Sequence, residues 1–148
     1  MIVLALLLGF LLHRWTLALW GPRAALIALA LYVSSPFVLG HGRLVTMDVP
    51  SALGAWAAIF CFVRLLERPS WRNVVIFGAV FAGAQLVKFA LLSMLPFLAG
   101  LLGLWTLLAR QGTEPWPRSA ARRALGFAAA LAVSALVISL VYAFHVWN

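Results

Sequence analysis

In a mostly apolar chain, four residues stand out as candidates for chemistry: His41, Arg43, Asp48 and Lys88. Three of them fall within eight positions of one another, in the stretch Gly40-His41-Gly42-Arg43-Leu44-Val45-Thr46-Met47-Asp48-Val49-Pro50. Two cations and a carboxylate suit an anionic substrate. Arginine and lysine can hold a phosphate or pyrophosphate. A nearby carboxylate can bind a metal, position an acceptor hydroxyl or orient the arginine. Each residue also has a simpler role open to it. Asp48 stands just before Val49-Pro50, where a helix start would use it as an N-cap. Arg43 could pair with Asp48 or with a lipid phosphate. Lys88 could reach to the membrane interface along its apolar stem. His41, like His13 and His145, fits an interfacial histidine, and Gln85 fits an interhelical hydrogen-bond donor.

The setting of these groups is set by composition. Of 148 residues, 66% are hydrophobic and 9% are charged, and the mean hydropathy is +1.08. A soluble domain is about 45–50% apolar and about 25% charged, so too few charges remain to coat a water-facing surface. Disorder is excluded by the same numbers. The expected class is all-α, a polytopic transmembrane helical bundle of about six spans whose main partner is the lipid bilayer. Eleven Lys+Arg against three Asp+Glu give a net charge of +8. These charges are scattered among apolar runs, with no basic face for nucleic acid, so no nucleic-acid partner is expected. One cysteine, Cys61, builds neither a disulfide framework nor a metal cluster.

Charges, glycines and prolines cut the chain into spans of roughly 2–20, 24–39, 51–66, 74–91, 93–109 and 124–147, read as one transmembrane domain over 1–148. The first run is a poor signal peptide, because no basic residue precedes its apolar core. Gly21-Pro22-Arg23 breaks the first helix from the second. Residues 74–109 carry one charge, Lys88. As one helix they would reach roughly 54 Å, against a hydrocarbon core of about 30 Å. They must therefore fold into two spans, with a tight turn between Lys88 and Pro96. Ser119 is the expected N-cap of the last helix, and Ala124, Ala128 and Ala132 recur at the spacing of a close packing face.

Alternate loops divide the basic residues nine to two. Arg14, Arg23, Arg64, Arg68, Arg72, Arg110, Arg118, Arg122 and Arg123 share one side, and Arg43 and Lys88 lie on the other. The positive-inside rule makes the first group cytoplasmic. Both termini, the 41–50 segment and Lys88 are then outside, in a multi-pass protein of the cell inner (plasma) membrane. Ionisable groups at membrane depth are costly and generally serve a site, so the two outer cations with Asp48 are the candidate site.

The stretch Ser35-Pro36-Phe37-Val38-Leu39-Gly40-His41-Gly42-Arg43-Leu44-Val45-Thr46-Met47-Asp48-Val49-Pro50 resembles a signature of the membrane glycosyltransferases of the C-type fold, in the branch of protein O-mannosyltransferases and aminoarabinose transferases. Glu67-Arg68-Pro69-Ser70-Trp71-Arg72-Asn73 is similar to that family's short cytoplasmic loop. Gly83-Ala84-Gln85-Leu86-Val87-Lys88-Phe89-Ala90 is similar to a second motif, with Val87 in place of the usual threonine. The resemblance implies sugar transfer from a polyprenyl-phosphate donor to an outer-face protein, lipid A or cell-wall glycan. It places Asp48 at the family's second acidic position, near the catalytic centre, and Arg43 and Lys88 at basic positions on the same outer side; Arg43, Lys88 and His41 are the candidate substrate-binding residues. The family's presumed general base would lie before Met1. The chain is therefore expected to be an internal fragment of a longer enzyme, inactive alone and completed by the missing portions or by a partner membrane protein. The cofactor requirement is open: one carboxylate is no metal site, and a divalent metal in the full-length enzyme would need further ligands.

Two other classes fit the residues. A small transporter or channel subunit would line a path with Arg43, Asp48 and Lys88, although no inverted repeat is visible. A non-catalytic membrane assembly protein would use the alanine face. Reporter fusions test the topology: those at Trp71 are expected inside and those at Asp48 outside, and an outside signal at Trp71 would overturn the arrangement.

Overall fold

The computed structural model describes residues 2–41, 46–108 and 116–147. Six α-helices follow in order: α1 Ile2–Ser34, α2 Pro36–His41, α3 Asp48–Glu67, α4 Trp71–Val87, α5 Met94–Leu108 and α6 Trp116–Trp147. A 3₁₀ turn, Phe89–Ser93, joins α4 to α5. No strand occurs among the described residues. Four stretches are long and apolar enough to cross a membrane, Ile2–Ser34, Asp48–Glu67, Phe89–Leu108 and Pro117–Trp147, and Trp71–Val87 is a shorter apolar helix. The protein is an all-α polytopic membrane bundle of about six helices.

The chain separates into two units, Met1–Leu53 and Gly54–Asn148. In the first, α1 is interrupted at Gly21, whose φ of 82° and ψ of −178° no helix contains. Only glycine adopts this backbone region readily. Pro22 follows with no N–H to leave unpaired. The two limbs, 2–20 and 22–34, fold back on each other. The Tyr32 hydroxyl donates to the Ala5 carbonyl at 2.8 Å. In an unbroken helix, residues 27 positions apart would lie roughly 40 Å apart. His13 Nδ1 lies 3.4 Å from the Ala25 carbonyl, a second tie across the same pair.

In the second unit the core is aromatic. Phe62 and Phe77 are fully buried, with Phe81, Leu65, Leu66, Leu98, Ala58 and Ala130 around them. Phe62 meets Phe77 at 5.3 Å and Phe127 at 5.4 Å between ring centroids, and Phe77 meets Phe81 at 5.7 Å. Tilted and edge-on pairs of this kind are each worth about 0.5–1.5 kcal/mol beyond their area. The rings can meet because α4 and α6 approach closely at Gly78. A Cβ there would lie 2.6 Å from the Ala130 carbonyl oxygen and 2.8 Å from Val133 Cβ.

Two sequence expectations are corrected in α6. The packing face is not Ala124, Ala128 and Ala132, which are exposed; Ala130 and Ser134 are buried instead. Small residues permit a close approach, but the partner's shape decides which of them is used, and Gly78 faces Ala130. Ser119 does not cap the helix. It lies buried within α6, which begins at Trp116. Pro117 explains the earlier start, since proline suits the first helical turn and its missing N–H costs nothing there.

Two glycines of α4 separate these effects. Gly78→Ala is expected to destabilise the protein by roughly 1–3 kcal/mol through overpacking. Gly83 has open space around it, so Gly83→Ala is expected to be neutral or to stabilise by up to about 1 kcal/mol. Thermal unfolding in detergent checks both, and equal effects would show that the α4–α6 crossing is not tight.

Candidate functional site

Asp48 stands in the first turn of α3, half-buried. The turn is fixed by Met47, whose carbonyl accepts both the Ser51 N–H, at 2.9 Å, and the Ser51 hydroxyl. Met47 thus takes the capping position, and Asp48 is the first residue inside the helix. Its carboxylate lies where the positive end of the helix dipole favours an anion. Val49 and Ser51 beside it are buried. The acidic group is therefore held on a rigid helix start, with little freedom in the backbone that carries it.

Lys88 belongs to the second unit. It closes α4 with φ −150° and ψ 107°, and its N–H donates to the Ala84 carbonyl at 3.1 Å. The chain then turns through Phe89–Ser93, where Leu91 N–H returns to the Lys88 carbonyl at 2.9 Å and the Ser93 hydroxyl to Ala90 at 2.8 Å. Pro96 falls in the first turn of α5. The Lys88 side chain is exposed, at the end of a helix where carbonyl dipoles favour a cation. Of the other two candidates, His41 is the last residue of α2, and Arg43 lies outside the described residues.

Gln85 departs from its expected role. It is 5% exposed, and neither its amide oxygen nor its amide nitrogen has a hydrogen-bond partner among the described residues. Its neighbour Ala84 packs against Gly54 of α3, where a Cβ would lie 3.1 Å from Ala84 Cβ. The side chain of Leu91 also reaches this approach, and like Ala84 it offers the amide no polar partner. An unpaired buried amide costs about 1–3 kcal/mol, so Gln85 is a polar group kept at a cost, one turn before Lys88. Among the described residues, no group of three or more His, Cys, Asp or Glu could hold a metal ion.

The sequence pattern of the dolichyl-phosphate-mannose-protein mannosyltransferase family matches residues 1–147. The chain belongs to this family. Its members are membrane glycosyltransferases, and the match covers every candidate residue, including Arg43 and His41, together with the 67–73 loop and the Gln85–Lys88 segment. No curated protein and no solved structure matches the chain.

Sequence reasoning passed over the residues that build the α3–α4 connection. The Ser70 hydroxyl caps α4 by accepting the Asn73 N–H at 3.4 Å. The Asn73 amide donates to the carbonyls of Arg68, at 2.7 Å, and Arg64, at 3.3 Å, closing the end of α3. From α6, Arg123 Nε donates to the Leu66 carbonyl at 3.3 Å. The signal was present: Ser-x-x-Asn mimics the capping-box spacing. In this glycosyltransferase family member, one asparagine serves the end of one helix and the start of the next.

Gln85→Leu tests whether the amide is unpaired. The variant is expected to raise the melting temperature in detergent, by an amount worth roughly 1–3 kcal/mol. A fall in melting temperature would mean that the amide holds a partner.

Proposed function

We propose that the chain forms a single transmembrane domain, over 1–148, of an enzyme that transfers a sugar from a polyprenyl-phosphate donor to an outer-face hydroxyl of protein, lipid A or cell-wall glycan. The observation that carries this reading is the family match over residues 1–147. The reaction forms a bond between the acceptor oxygen and the anomeric carbon. It breaks the bond from that carbon to the phosphate oxygen, and the acceptor proton goes to a carboxylate. The lipid phosphate leaves with its negative charge, and the group that best stabilises it is a cation already in place.

Lys88 and Arg43 are assigned to that phosphate and His41 to the donor's polar rim. Asp48, on its fixed helix start, orients the acceptor or the arginine. Gln85, kept polar inside the second unit, serves the same donor head. The assignment has Asp48 and Lys88 facing the outer side of the inner membrane, with both termini outside. A divalent metal would have to draw ligands from elsewhere in the enzyme.

In the intact gene product, Lys88→Gln is expected to lower sugar transfer by about a hundredfold, the usual cost of removing one group that stabilises developing charge. Asp48→Asn is expected to lower turnover too. The assay follows transfer of labelled sugar from a polyprenyl-phosphate donor in membranes. Unchanged turnover in Asp48→Asn removes that residue from the site.

A further inference from the structure

The opposite end of the second unit carries a concentration of positive charge. Arg64 and Arg68 lie at the end of α3, Arg72 in the first turn of α4, and Arg118, Arg122 and Arg123 in the first turns of α6. Among the described residues there, Glu67 is the one carboxylate. The bond from Arg123 to the Leu66 carbonyl, at 3.3 Å, brings the α6 cluster against the end of α3. The charges also run against the helix dipoles. The first turns of α4 and α6 contain no acidic residue and do contain arginine, at helix ends where the backbone is already positive. An anion is the natural complement of such an end.

Two adjoining clefts give that anion a shape. One, of about 300 Å³, is lined by Arg64, Glu67, Arg68 and Asn73. The other, of about 510 Å³, is lined by Leu66, Glu67, Trp105, Leu108 and Arg123. Glu67 belongs to both. The first is polar and the second largely apolar, with an arginine at its edge. A headgroup with an attached acyl chain has the same division. We propose that this end of the second unit binds an anionic phospholipid, its phosphate among Arg64, Arg68 and Arg123 and the start of its acyl chain along Leu66, Trp105 and Leu108. The positive-inside rule accounts for arginines in a loop but asks for no apolar trench beside them. Charge complementarity selects an anionic headgroup over a zwitterionic one. This inference does not depend on the sugar-transfer reading.

The test uses the chain in nanodiscs containing spin-labelled phosphatidylglycerol or phosphatidylcholine with the same acyl chains. The immobilised lipid fraction is read by electron paramagnetic resonance. The unsubstituted chain is expected to favour phosphatidylglycerol by about tenfold or more. The double variant R64Q/R68Q is expected to lose most of that preference, while R14Q, on α1 of the first unit, keeps it. Equal immobilisation of the two lipids by the unsubstituted chain overturns the proposal, and this arm decides the matter if the double variant does not fold. Two other results also overturn it: a preference unchanged in R64Q/R68Q, and complete loss of the preference to millimolar inorganic phosphate, which would make the site one for free phosphate.

Discussion

A backbone N–H or C=O group in hydrocarbon has no water to bond to. That single constraint explains most of what is seen. Nearly every described residue is helical, and each departure from helix has its own provision for the backbone groups it frees. At Gly21 the next residue is proline and brings no N–H. Between α3 and α4, Ser70 and Asn73 supply the missing donors and acceptors from their side chains. After Lys88 the chain tightens into a 3₁₀ turn, which keeps short-range backbone bonds in use. The polar residues of this chain are few, and several are spent on its breaks.

The same constraint governs how the helices pack. Lipid tails are as apolar as leucine, so burial alone gives helices no reason to associate. Close contact has to supply it. At Gly78 the missing side chain admits the Ala130 backbone, and the surrounding phenylalanines close the gap on both sides. Larger side chains then fill the core without polar contacts. Gln85 stands out among these side chains, buried with neither amide atom partnered among the described residues, at a cost of about 1–3 kcal/mol.

The helical class, the break at Gly21-Pro22 and the bend near Lys88 were legible in the sequence because composition and helix-breaking residues report directly on a bilayer's demands. The packing face of α6 was not. Ala124, Ala128 and Ala132 have the right spacing, but spacing within one helix says nothing about the relief of its partner, and Gly78 lies 52 positions before Ala130. Ser119 misled for a similar reason: a good cap residue competes with proline at the start, and Pro117 prevailed. At the site, charge asymmetry picked out Asp48, Arg43 and Lys88. Gln85 stood out as an interhelical hydrogen-bond donor, and that its amide has no partner among the described residues is visible only in three dimensions.

Asn73 has a mechanical consequence. By holding the last carbonyls of α3 while its own N–H is held by Ser70, it welds the two helices at their shared end. The pair is joined again toward the other end of α4, where Ala84 packs against Gly54 of α3. Helix α4 ends at Lys88, itself extended, and the 3₁₀ turn Phe89–Ser93 follows. The loop that looks like a mere connection thus sets how the two helices pair, and with it the position of the lysine that ends the second of them.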